Sequence, residues 1–275
     1  MRFAACVRPD RPRTAEAAAA AAVRMRSAGH EVVEVSLEAP DLAERVRGVE
    51  VAWVFGGDGT MLQAARAFAP LGVALLGVNL GRLGFLTSAT TSQVDGTVAD
   101  VAAGRFRHDE RALLDARLVR GGREVVRSLA LNDVVVARAE LVRSIHIAVA
   151  VDGEPLITYW ADGLIVATAT GSTAYGFSVG GPLILPASRA IMIAPIAPHL
   201  SFANAIVFDT EQRLRLELLD EPARLSIDGQ VEHALAAGDV IEVRRAEVVA
   251  RFVRPAGAKP FLTLFREKIL KEPRS

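Results

Sequence analysis

Cysteine and lysine are both scarce in this 275-residue chain: Cys6 is alone, and the only lysines are Lys259, Lys268 and Lys271. One cysteine rules out an intrachain disulfide and a cysteine-rich zinc site. No lysine stands in G-x-x-x-x-G-K-[ST], so the common phosphate loop of nucleoside triphosphatases is excluded. Net charge is missing too, with 32 basic residues against 32 acidic ones. Neither nucleic acid nor an anionic membrane is therefore an expected partner. No apolar run approaches the roughly 20 residues a membrane span needs. The N-terminus has no succession of basic start, apolar stretch and small-residue cleavage site, and a cytoplasmic address is expected. What remains, 51% hydrophobic and 23% charged, is the make-up of a globular protein of one or two domains.

The first hundred residues alternate between apolar strands and helical stretches. Phe3 to Val7, Val32 to Val35, Val51 to Phe55 and Val73 to Val78 read as strands. Between them, a helix opened by Thr14 runs to about Ala28, and shorter ones cover Asp41 to Arg47 and Met61 to Phe68. Another is expected near Gln93 to Val101. That order predicts an α/β domain with a parallel sheet. Near Arg105 the pattern changes to short apolar runs divided by turns, with Asp152-Gly153 as a hairpin signal between Ile145–Val151 and Leu156–Tyr159. The expected division is residues 1–104 as the α/β domain and 105–255 as a β-rich domain. The tail, residues 256–275, should pack back through Phe261, Leu262, Leu264 and Phe265.

Four segments carry candidate chemistry. Gly56-Gly57-Asp58-Gly59-Thr60 lies between a buried strand and a helix, where backbone amides can meet phosphate. It lacks the G-x-G-x-x-G dinucleotide spacing. A carboxylate there repels phosphate unless it holds a metal or takes a proton from a nucleophile, so Asp58 points to phosphoryl transfer. Otherwise it caps the helix of a tight turn. Asn79-Leu80-Gly81-Arg82-Leu83-Gly84-Phe85-Leu86 leaves the next strand, and an exposed Phe85 could stack on a base, unless the segment is a plain connector. Leu131-Asn132-Asp133 places an amide and a carboxylate before a strand, suited to ribose hydroxyls or an adenine edge, or simply to a turn. Asp162-Gly163-Leu164-Ile165-Val166-Ala167-Thr168 runs into Thr170-Gly171-Ser172-Thr173-Ala174-Tyr175, a small-residue cluster that admits a flat base beside Tyr175.

Together with Gly180-Gly181-Pro182, Pro198-His199 and Asp228-Gly229-Gln230, these segments resemble the NAD kinase family along most of the chain. The resemblance implies an α/β N-terminal domain, a β-sandwich-like C-terminal domain and a tail returning to the first. It implies a homodimer or homotetramer, with a dinucleotide site between domains that borrows residues from a neighbouring subunit. It implies phosphorylation of the adenosine ribose 2′-hydroxyl of NAD by ATP or a related donor, polyphosphate included. By motif, Asp58 is the implied general base with Gly59 beside it, and Asn132 and Asp133 contact the adenosine part. Asp162, Thr173, Ala174, Tyr175, Gly176, Phe177 and Ser178 line the same pocket, and Gln230 ends the late motif. Arg143 and Trp160 correspond by spacing alone. Gly176 stands where the family often has serine, Asp133 where it often has glutamate, and Trp160 where a basic residue is frequent. Two rivals remain at this point: a lipid or sugar kinase with the same glycine-rich loop, and a catalytically silent dinucleotide-binding module. The five histidines have no metal-ligand spacing. A required Mg²⁺ or Mn²⁺ is therefore expected on the nucleotide phosphates and water, with no protein metal ligands assigned.

Overall fold

Strands and helices alternate through the first hundred residues of the computed structural model, which describes residues 1–7, 11–140, 143–209 and 211–270. The chain divides into two units, Met1–Glu110 with Ala250–Ser275, and Arg111–Val249. The first contains β1 (Arg2–Val7), α1 (Pro12–Ser27), β2 (Glu31–Ser36), α2 (Leu42–Arg45) and β3 (Val51–Phe55). It continues with α3 (Asp58–Phe68), β4 (Ala74–Asn79), β5 (Ala89–Thr90) and α4 (Val94–Ala102). The unit boundary falls within two long strands, β6 (Phe106–Arg120) and β17 (Val240–Pro255), and α6 (Phe261–Phe265) follows in the tail.

In the first unit the strand order is β17-β4-β3-β1-β2, and every pairing is parallel. All five residues of β3 are buried, as a continuously apolar strand covered on both faces requires. Phe3, Trp53, Phe55 and Met25 fill the surrounding core. Because β3 and β4 are parallel neighbours, both end at the same edge of the sheet. The segments following Phe55 and Asn79 are therefore brought together. In the tail Leu264 and Phe265 are buried while Leu262 is exposed, so only one face of α6 packs.

Two helix starts differ from the expectation. The first helix begins at Pro12, whose ring presets the helical φ at the first position, while the Thr14 hydroxyl donates to the Arg11 carbonyl at 2.7 Å instead of capping. α3 begins at Asp58 rather than Met61, with Gly57 as the preceding residue and no side-chain cap. Asp58 thus lies within the first turn, and its carboxylate serves something other than the helix end.

The second unit is antiparallel. It adds β7 (Arg123–Ala130), β8 (Asp133–Arg138), β9 (Ile145–Val151), β10 (Glu154–Ala161) and β11 (Gly163–Thr168). These are followed by α5 (Tyr175–Ser178), β12 (Ile191–Ile196), β13 (Ile206–Phe208), β14 (Arg213–Leu218), β15 (Ala223–Ile227) and β16 (Val231–Leu235). One sheet has the order β13-β12-β11-β8-β15-β16, and the other contains β10-β9-β14-β17 with β6 beside β17 and β7 beside β6. Leu114, Ile147 and Leu216 from one and Val134, Leu164 and Leu225 from the other share a core, a sandwich built on period-2 alternation. Asp152-Gly153 forms the expected turn between β9 and β10, with φ of 51° and 89°.

Asp115 ties three strands of that second sheet together. Only 3% exposed, it accepts two hydrogen bonds from Arg127 at 2.8 Å and two from Arg244 at 3.2 and 3.1 Å. Burial pushes the carboxyl up, but the hydrogen bonds of Arg127 and Arg244 and the charges of Arg127 and Arg117 outweigh it and hold it below its ordinary value. A depressed native pKa gives stability that is present at neutral pH and lost as pH falls through the carboxylate range. Asp115→Asn should lower the melting temperature by about 3–8 °C at pH 7, a deficit that shrinks below about pH 4. A deficit independent of pH, read in melts from pH 3 to 8, would show that the charge does not matter.

Candidate active site

Asp58 sits at the end of β3 with both carboxylate oxygens engaged by the segment after β4. Phe85 N–H donates to Oδ2 at 2.9 Å and Leu86 N–H to Oδ1 at 3.1 Å. The approach is so close that a Cβ on Gly84 would lie 1.9 Å from Oδ1, so glycine is required there by contact. Gly84 N–H donates in turn to Thr87 Oγ1 at 2.7 Å, and Thr87 is buried. The second glycine-rich segment is thus a cradle for the carboxylate of the first. The expectation of an exposed Phe85 ring is corrected: the side chain is half-buried, 5.9 Å from the ring of Phe261, with the Lys268 ammonium 5.8 Å from its centroid. Its contribution to Asp58 comes from the backbone.

In the second unit Leu131-Asn132-Asp133 and Thr168 to Tyr175 pack against each other. Thr168 Oγ1 donates to the Leu131 carbonyl at 2.6 Å and accepts from Gly171 N–H at 3.1 Å. A Cβ on Gly171 would meet the Asn132 carbonyl oxygen at 2.0 Å, which explains the glycine of that motif. A cleft of about 310 Å³ opens here, lined by Asn132, Asp133, Ala174, Tyr175, Ser226 and Asp228. Tyr175 is 44% exposed, an available flat face. Thr173, Ala174 and Phe177 are half-buried and Ser178 is exposed. Gly176 is buried with its missing side chain directed at Met192 Cε, 2.2 Å from an ideal Cβ, so a serine there would point inward and not into the cleft. A larger hollow of about 500 Å³ lies among Asp115, Arg117, Arg215 and Arg244. Of its arginines, Arg117 and Arg244 pair with Asp115 and Arg215 with Glu217, and size alone gives it no chemistry.

The residue that sequence reasoning missed is Asp228. It accepts from the backbone N–H groups of Leu131 at 2.9 Å, Asn132 at 2.7 Å and Asp133 at 3.2 Å. The sequence signal was Asp228-Gly229-Gln230, in which the site residue was sought at Gln230; that residue is exposed and outside the cleft lining. Burial, and then the negative charge of Asp228, push Asp133 up to about 7. Two carboxyls thus share one buried site, with three amides directed at Asp228.

The remaining candidates form a separate group. Asp162 pairs with Arg138 at 3.0 Å, with Ser144 Oγ at 3.4 Å and His199 Nε2 at 3.7 Å nearby. Trp160 stacks on His146, centroids 5.8 Å apart and planes at 14°, with His199 tilted at 5.4 Å. Arg143 is bound by Glu221 at 3.1 Å. Hairpin counting from Asp152-Gly153 would have opposed His146 to Tyr159, but a bulge between Pro155 and Ile157 shifts the register and makes Trp160 its partner.

A strand-end carboxylate in a glycine-rich turn, with a polar cleft lined by an aromatic, is the equipment of a phosphotransferase acting on a nucleotide. Residues 7–106 match the ATP-NAD kinase N-terminal domain, and residues 131–255 match the ATP-NAD kinase C-terminal domain. The chain belongs to the NAD kinase family. It is 42% identical over 232 residues to the NAD kinase of Heliobacterium modesticaldum, covering 84% of this chain and 82% of the relative. With the Syntrophotalea carbinolica NAD kinase it shares 42% identity over 224 residues, 80% of this chain and 78% of the relative. The structure of yeast NADH kinase complexed with NADH is similar with a TM-score of 0.82 and 25% identity, over 99% of this chain and 89% of that one. The structure of the Archaeoglobus fulgidus NAD kinase in complex with ATP gives 0.73 and 25%, over 96% and 97%. No helix among the described residues is long and apolar enough to cross a membrane.

The raised pKa of Asp133 has a measurable sign. The unfolded chain ionises this group near pH 4 while the folded chain keeps it protonated to about 7, so stability falls between those values. Asp133→Asn carries no such titration and should gain on the unsubstituted chain from pH 4 to 7, by an amount on the order of a few kcal/mol. A stability difference that stays flat across pH 4–8 would mean Asp133 ionises normally.

Proposed function

We propose that this chain transfers a phosphoryl group from ATP, or from a related donor such as polyphosphate, to the adenosine ribose 2′-hydroxyl of NAD, forming NADP, with Asp58 as general base. The observation that carries the reading is the Asp58 carboxylate, held at the end of β3 by the Phe85 and Leu86 amides in a chain of this family. A ribose hydroxyl is a poor nucleophile at neutral pH. A fixed carboxylate accepts its proton as the new O–P bond forms and the bridging P–O bond of the donor breaks, the electron pair leaving with ADP when ATP is the donor. Asn132 and Asp133 suit the adenosine part, one by its amide and the other by a carboxyl that can donate as well as accept. Tyr175 offers the stacking face, with Gly59, Asp162 and Thr173 to Ser178 completing the contacts. Trp160 and Arg143, matched by spacing, and Gln230, matched by its motif, are further ligand contacts in this reading.

Among the described residues no group of three or more His, Cys, Asp or Glu side chains is placed to hold a metal ion. Mg²⁺ or Mn²⁺ fits this chain as a companion of the donor phosphates and water, with no protein side chain assigned to hold it, and when bound it would neutralise phosphate charge. A homodimer or homotetramer and a cytoplasmic address belong to the same reading. The relatives solved with NADH and with ATP support the choice of ligands.

The test is NADP formation from NAD, ATP and Mg²⁺, followed with an NADP-specific dehydrogenase, in the unsubstituted chain and in Asp58→Asn. The substitution should lower kcat by about 10²–10⁴-fold while NAD still binds. Partial rescue by added Mn²⁺ would make Asp58 a metal-organising residue. A folded, fully active Asp58→Asn would remove the base.

A further inference from the structure

Arg254 is the one buried charged side chain among the described residues of the first unit, 6% exposed. Its guanidinium is not spent on a single carboxylate. Nε donates to Asp109 Oδ2 at 3.1 Å, but Nη1 donates to the Thr87 carbonyl at 3.2 Å and to Ser88 Oγ at 3.1 Å, and Nη2 to the Phe85 carbonyl at 3.1 Å. Three of these four bonds fall on residues 85–88, the segment whose amides hold Asp58.

One peptide group completes the connection. The Phe85 carbonyl accepts from Arg254, and the Leu86 N–H of that same peptide donates to Asp58 Oδ1. A planar peptide cannot turn its carbonyl without turning its amide. The guanidinium therefore fixes the direction of a hydrogen bond to the carboxylate, and polarises the donor in the sense that strengthens it. Burying an arginine is costly, and well-packed apolar residues often serve stability as well. A rigid fork of donors is what fixing several acceptors of one loop requires, and lysine, a point charge, does not supply it.

We propose that Arg254 is a positioning residue for Asp58, acting through the Phe85–Leu86 peptide to hold the carboxylate in the orientation in which it accepts the ribose proton. The inference rests on Asp58 being the base, and it names a residue some 200 positions away that decides how well the base is aimed.

The test is a double-mutant cycle on the full chain, with Arg254→Lys, Asp58→Asn and the pair, reading kcat, the KM for NAD and ATP, and the melting temperature. Arg254→Lys should lower kcat by about 10- to 100-fold, as a misplacement near 1 Å does, with both KM values within about twofold. In the Asp58→Asn background the same change should cost less than about threefold, because what it aims is gone. Equal losses in both backgrounds, a change confined to KM, or a lowered melting temperature with normal kcat would each overturn the proposal. Asp58→Asn with full activity would instead overturn the base itself, and the two failures are distinguishable. If Arg254→Lys does not fold, Ser88→Ala removes one acceptor and keeps the pair with Asp109. It should reproduce the pattern at about 3- to 10-fold, and an unchanged kcat there would overturn the proposal.

Discussion

Two backbone amides directed at one carboxylate set the terms for the first unit. Phe85 and Leu86 can present their N–H groups to Asp58 only if β3 and β4 are parallel neighbours that end at the same edge. The segment between them must also come close enough that Gly84 has no room for a side chain. Much of the local chemistry follows from that contact. Thr87 and Ser88 are buried polar residues because they anchor the segment, Thr87 to Gly84 and Ser88 to the Val253 carbonyl at 2.8 Å. Phe261 covers the ring of Phe85 and so gives the returning tail a task beyond filling the core. The carboxylate is thereby oriented, as a base that must meet a weak nucleophile has to be.

The second unit solves a different problem by a similar device. A carboxylate buried beside another carboxylate is unstable unless one is neutralised or given donors. Asp228 receives three backbone amides, and Asp133 holds its proton to about 7. Residues from segments nearly a hundred positions apart are thereby locked into the floor of the cleft beside Tyr175. In both units an aspartate organises a loop through its backbone amides, so the motifs are conformational instructions as much as ligand contacts.

The period of the sequence was enough to read the architecture. Buried apolar runs separated by helices became the parallel sheet, and Asp152-Gly153 became the turn at which it was expected. Helix starts were read less well, because Pro12 and Gly57 define them through backbone geometry that a search for capping side chains overlooks. The motifs named the segments of the candidate site, yet not their partners. Nothing local announces that Asp58 faces Gly84, that Asp228 faces Leu131, or that Arg254 reaches Phe85, since each contact depends on strands paired across long separations. The neighbouring of Trp160 and His146 was hidden by a single bulge.

The central claim is that the position of the Asp58 carboxylate, and not only its presence, sets the rate. Gly84→Ala tests it most directly, since it removes no ionisable group, and an ideal Cβ there would lie 1.9 Å from Oδ1, so the carboxylate or its cradle must shift. In a folded Gly84→Ala protein the account predicts a kcat lowered by about 10-fold or more, with the KM for NAD little changed, because displacing a reacting group by a fraction of an ångström to 1 Å is costly in rate. A folded Gly84→Ala protein that turns NAD over at the unsubstituted rate would contradict it.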